Sequence, residues 1–128
     1  MANEIKLTPS IVYENGTIKR TYQPGTLNLP QATKGVLDQT VTATSAEADI
    51  AVASLGTPGI CFMHNLESTT TGKTWLWGLK SSTGGIPTYF RLPPKQAAIV
   101  NYGTSAMVIR GKGLAAGSFQ VSIVTFEN

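Results

Sequence analysis

A chain of 128 residues in which 41% are hydrophobic and only 13% charged is one domain's worth of sequence, with about half the charge of an ordinary soluble domain. Ten basic and seven acidic residues leave a net charge of +3, and the basic ones are scattered, which argues against a nucleic-acid-binding tail. The single cysteine, Cys61, rules out an intrachain disulfide, and no stretch has the length and apolarity of a signal core or a membrane span. The fold is expected to stand on packing alone, with Cys61 as a small buried hydrophobe and no export signal.

Helix signals are nearly absent. The one stretch with fair helix propensity, Thr44-Ser45-Ala46-Glu47-Ala48, is short. Strand signals instead recur roughly every 8–12 residues, the spacing of a sandwich or barrel. The first unit is Ser10-Ile11-Val12-Tyr13-Glu14, then Asn15-Gly16, then Thr17-Ile18-Lys19-Arg20-Thr21-Tyr22. Two β-rich runs separated by Asn-Gly predict a hairpin with both loop residues at positive φ. The sequon Asn15-Gly16-Thr17 is therefore read as a turn and not as a glycan site. Pro24-Gly25 ends the second strand, and Thr26–Gly35, with Leu27 and Leu29 on one side, is expected as a connector or short edge strand.

From Val36 the strands become denser: Leu37–Thr44, Asp49–Leu55, Ile60–Asn65, Lys73–Leu79, Pro87–Leu92, Ala97–Tyr102, Ala106–Arg110 and Phe119–Phe126. Gly56-Thr57-Pro58-Gly59 and Ser81-Ser82-Thr83-Gly84-Gly85 are expected turns between them. Ile60–Asn65 is nearly all apolar, which predicts a strand covered on both faces. In the last strand Phe119, Val121, Ile123 and Thr125 alternate with Gln120, Ser122, Val124 and Phe126, leaving apolar character on each face. About eight antiparallel strands predict an all-β fold: a two-sheet, jelly-roll-like β-sandwich preceded by an N-terminal hairpin or arm, with a partly open barrel second. The boundary is placed near Gly35, giving an arm over residues 1–35 and a sandwich over 36–128.

The candidate chemistry is sparse. Gly72-Lys73-Thr74 resembles the end of a phosphate loop, but Glu67 stands where the loop's first glycine belongs, and Trp75-Leu76-Trp77-Gly78-Leu79 reads as a strand where a helix is needed. Cys61 and His64 form Cys-x-x-His with no second pair to complete a zinc site, and in a strand they point to opposite faces. That geometry also separates a thiol from its base. No Gly-x-Ser-x-Gly elbow accompanies His64, Asp38 and Asp49. Glu47 and Asp49 are the only close carboxylates, and at i and i+2 they read as a solvated edge. Gly111–Gly117 misses the dinucleotide spacing and is expected to be a hairpin loop. Trp75, Trp77, Tyr89 and Phe90 admit two readings: a ligand platform, or core and interface anchors, with the second favoured. No catalytic residue, cofactor or metal is expected.

Three stretches then carry a resemblance: Gly59-Ile60-Cys61-Phe62-Met63-His64-Asn65-Leu66, Trp75-Leu76-Trp77-Gly78-Leu79, and Tyr89-Phe90-Arg91-Leu92-Pro93-Pro94-Lys95-Gln96. Their order resembles small β-sandwich structural proteins of tailed bacteriophages, in which an apolar strand ends in Asn-Leu and a later one closes at a Leu-x-Pro-Gly-Glu turn. The chain departs from that pattern at Pro93-Pro94-Lys95-Gln96, where Gly-Glu is lost. The resemblance implies a virion component, a homo-oligomer with a trimer favoured, touching the major capsid protein or another virion protein. Surplus apolar surface independently points to protein contacts. The expected contact residues are the segment Ile5–Tyr22, with Ile11, Tyr13, Ile18 and Tyr22, and the aromatic region with Trp75, Trp77 and Tyr89. The alternative is a receptor- or carbohydrate-binding module using Trp75, Trp77, Tyr89 or Tyr102. Neither reading calls for a nucleic acid or membrane partner.

Overall fold

A computed structural model describes residues 4–30, 35–52, 54–69, 73–81, 89–102 and 107–127. None of these is helical. The chain divides into two compact units, residues 1–34 and 35–128.

The first unit is a two-stranded ribbon. Strand β1 (Glu4–Leu7) pairs antiparallel with β4 (Leu27–Pro30), and β2 (Ile11–Asn15) with β3 (Ile18–Tyr22). Between the two ladders Gln23 Nε2 donates to Ser10 Oγ at 3.2 Å, and the hydroxyls of Thr8 and Thr26 lie 3.2 Å apart. The β1 strand was not expected: four residues alternating Glu-Ile-Lys-Leu gain their ladder only from the partner that the hairpin folds back to them. The turn also differs by one residue. Asn15 pairs with Ile18, so the loop is Gly16-Thr17, and Gly16 alone takes positive φ, at 57°. Glycine at the first loop position is the pattern of a type II′ turn, whose twist matches the flanking strands.

The second unit is the β-sandwich. One sheet has the order β10 (Ala97–Asn101), β7 (Pro58–Asn65), β12 (Phe119–Glu127), β5 (Val36–Ala43). The other has the order β6 (Ala48–Asp49), β11 (Met107–Gly113), β8 (Trp75–Ser81), β9 (Phe90–Leu92). All pairs are antiparallel. The partners nest: β5 pairs with β12, β6 with β11, β7 with β10, and β8 with β9. A single long hairpin wound over two layers is a jelly roll.

Period two decides what is inside. In β7 the odd positions Cys61, Met63 and Asn65 face the other sheet, and in β12 Phe119, Val121, Ile123 and Thr125 do so; all seven are buried. The facing sheet contributes Trp75, Trp77 and Ile109, and Ile50, Leu92 and Tyr102 close the ends of the core. Space for the Trp75 indole comes from Gly111, its diagonal neighbour on β11 and the register partner of Trp77, where an added Cβ would overlap the Trp75 ring.

Several expectations shift with the register. Of the predicted Asp49–Leu55 strand only Asp49 joins a sheet, together with Ala48 before it; beyond it the Ile50 N–H donates to Ile109 O at 2.8 Å, and Leu55 turns in as an isolated core residue. Pro58 and Gly59 open β7 instead of forming a turn, and the bends lie at Leu55–Thr57. Gly111-Lys112-Gly113 belongs to β11, and because β11 and β12 lie in different sheets, Leu114–Ser118 crosses between layers and is not a hairpin loop. Strand β7 is not covered on both sides, since Phe62 is 37% exposed. The expected turn Ser81–Gly85 falls outside the described residues after Ser81, as do Pro87 and Gly72.

Candidate interaction surfaces

The expected contact residues separate into two groups. Register places Ile11 opposite Tyr22, Tyr13 opposite Arg20, and Asn15 opposite Ile18. Successive side chains alternate across a strand, so Ile11, Tyr13, Ile18 and Tyr22 share one face of the hairpin. Each is more than half exposed. The opposite face carries Val12, Glu14, Lys19 and Thr21, with Lys19 Nζ 2.5 Å from Glu14 Oε1. The hairpin is thus amphipathic, and its oily side is open to solvent.

The aromatic group does not form a surface. Trp75 is 1% exposed and Trp77 7%, so neither has area to offer a partner or a sugar ring. Both lie at odd positions of β8 and point between the sheets. Tyr102 is also buried, with no hydrogen-bond partner for its hydroxyl among the described residues. Phe90 is exposed and tilts over Trp77, ring centroids 5.2 Å apart. Tyr89 is half-buried and engaged elsewhere.

Tyr89 belongs to an ionic cluster on the outside of the β6-β11-β8-β9 sheet. Its hydroxyl donates to Glu47 Oε1, which also receives Lys112 Nζ at 3.2 Å; the same ammonium lies 5.0 Å over the Tyr89 ring. Arg110 Nε donates to Asp49 Oδ1 at 2.5 Å, and Lys80 Nζ lies 3.1 Å from Asp49 Oδ2. The Tyr89 hydroxyl and Lys112 hold the Glu47 carboxyl below its ordinary range, and the Arg110 guanidinium does the same for Asp49. These carboxylates are therefore not a plain solvated edge: they fasten the two-residue strand β6 to β11 and β8. Sequence spacing brought them together, but only the sheet order supplies the cations.

A second apolar surface was expected only in outline. On the outside of the β10-β7-β12-β5 sheet, register aligns Ile99, Phe62, Val124 and Asp38 in one row. Ile99 is 45% exposed and Phe62 37%. The next row toward the start of β5 contains Phe126 opposite Val36, and Val36 is 57% exposed. Outer faces of sandwiches are ordinarily polar. This one carries an oily patch of Ile99, Phe62, Val124, Phe126 and Val36 with Asp38 at its β5 edge, while the neighbouring row on the same face, His64, Ser122 and Thr40, is polar.

Two residues escaped the sequence as structural ties. Asn65 is completely buried; its side chain donates to Lys73 O at 2.9 Å and Leu92 O at 3.0 Å, and accepts the Glu67 N–H at 3.0 Å. Glu127 accepts the Gly35 N–H at 2.9 Å and the Gly56 N–H at 2.6 Å, anchoring the start of the sandwich. A polar residue closing an otherwise apolar strand was the available signal for Asn65. Cys61 and His64 do lie on opposite faces, and burial pushes the Cys61 thiol up to about 11. Lys73-Thr74 leads directly into β8. Among the described residues no three His, Cys, Asp or Glu side chains are placed to hold a metal ion, and no helix is long and apolar enough to cross a membrane. Comparisons with protein-family models, with curated proteins and with solved structures find no match to this chain.

Proposed function

We propose that this chain is a non-enzymatic structural protein that assembles with copies of itself, and that its setting is the particle of a tailed bacteriophage, as a decoration or accessory capsid protein. The observation that carries the assembly reading is the hairpin face of Ile11, Tyr13, Ile18 and Tyr22. An isolated two-stranded hairpin is marginal in water, and one with four large apolar side chains exposed on one face gains stability when that face is covered. Subunit contacts repeated by symmetry add avidity without needing a large interface from each copy. The virion setting rests on the sequence resemblance together with the jelly-roll sandwich.

Mass photometry and light scattering on the full chain are expected to show one closed oligomer, a trimer, and Tyr13→Ser with Tyr22→Ser is expected to shift it toward monomer while the circular dichroism stays that of β structure. A wild-type chain that is monomeric at high concentration overturns the assembly reading. The virion setting predicts a locus beside capsid or tail genes and purified particles that carry the chain in regular copy number; its absence from those particles overturns that setting.

A further inference from the structure

We infer that the occupant of the apolar patch on the outer face of the β10-β7-β12-β5 sheet is the hairpin face of a second copy of this chain. This deepens the assembly reading above and rests on it. The hairpin face carries a cation, Arg20, opposite Tyr13, and no carboxylate, because Glu14 lies on the other side. Two such faces stacked on each other bury two guanidinium groups with nothing to neutralise them, so the hairpin is not complementary to itself. Its natural cover is an apolar β surface that supplies one carboxylate. The row Ile99, Phe62, Val124, Asp38 is such a surface.

Two further observations agree. Neither Arg20 nor Asp38 has an ion-pair partner among the described residues. The sizes also match: four strands lie across about 14 Å at roughly 4.8 Å per step, and the hairpin face from Ile11 to Asn15 runs about 14 Å at roughly 3.4 Å per residue. The contact pairs one patch with a different patch on the next copy. It is therefore heterologous, and it forms a ring when the rotation between subunits closes.

Charge exchange in the full chain tests this. Arg20→Asp and Asp38→Arg are surface changes whose folding is checked by circular dichroism and thermal melting. Each single variant is expected to weaken assembly about tenfold or more, and the double variant Arg20→Asp/Asp38→Arg to restore it to within about threefold of wild type. A wild-type oligomer that both single variants leave intact, or that both weaken without rescue in the double, overturns this contact while leaving self-assembly standing. A monomeric wild type removes the assembly reading itself. Rescue of melting temperature in a protein that stays monomeric places the pair within one chain and overturns the copy-to-copy contact.

Discussion

At the scale of single residues, the most consequential side chain in the sandwich is Asn65. It is polar, fully buried, and satisfied on both ends of its amide. Its backbone adds two ties, donating to Gln96 O at 3.0 Å and accepting the Lys95 N–H at 3.1 Å. One residue thus joins the end of β7 to the start of the β7–β8 connection and to the β9–β10 turn. Truncation to alanine removes the Asn65 side-chain hydrogen bonds from the buried Leu92 carbonyl and from the part-buried Lys73 carbonyl and Glu67 amide. The expected cost of Asn65→Ala is about 3 kcal/mol, read as a lower urea midpoint with an unchanged slope; a change below about 1 kcal/mol contradicts that role. The neighbouring turn carries the one positive-φ residue other than glycine among those described. Lys95 takes φ of 61°, a left-handed conformation usually left to glycine. The turn between β9 and β10 therefore places a lysine where glycine is the easier choice.

At the scale of elements, β6 shows how a strand can be held by charge. Two residues of ladder are too little to define a strand edge, and the Glu47, Asp49, Lys80, Arg110 and Lys112 cluster supplies the remainder. Lys80 is only 8% exposed and depends on Asp49. Both carboxyls sit below their unfolded values, first through Tyr89 for Glu47 and through Arg110 for Asp49. A depressed carboxyl contributes stability above its unfolded pKa, and that contribution is lost as pH falls through the folded value. Asp49→Asn is therefore expected to destabilise the sandwich by about 1–2 kcal/mol at neutral pH, discounted for the partial exposure of Asp49. The gap from wild type is expected to close as the pH drops below the carboxylate range. Urea titrations of both proteins from pH 7 down to acid check this; a gap independent of pH assigns the loss to packing instead.

At the scale of the whole molecule, two oily patches remain after the sandwich core is filled: the hairpin face and the Ile99-Phe62-Val124 patch outside the β10-β7-β12-β5 sheet. A molecule whose native state binds copies of itself is stabilised by mass action, so its melting temperature rises with protein concentration. A rise of a few degrees per tenfold in concentration is expected by scanning calorimetry, and a melting temperature that ignores concentration contradicts assembly. The sequence by itself determined the all-β class, the number of sandwich strands, the hairpin and the alternation in Phe119–Phe126, because period two and turn chemistry are local properties of the chain. It did not determine which aromatic residues are interior. Trp75 and Trp77 read as core or interface anchors in preference to a ligand platform, and the choice between core and interface stayed open until the nested pairing set β8 between β11 and β9 and placed Gly111 beneath an indole. Nor did it show that Ile99, Phe62 and Val124 lie side by side, or that Glu47 and Asp49 meet three cations. Those neighbours are far apart in the chain, and only the winding of one long hairpin over two layers brings them into register.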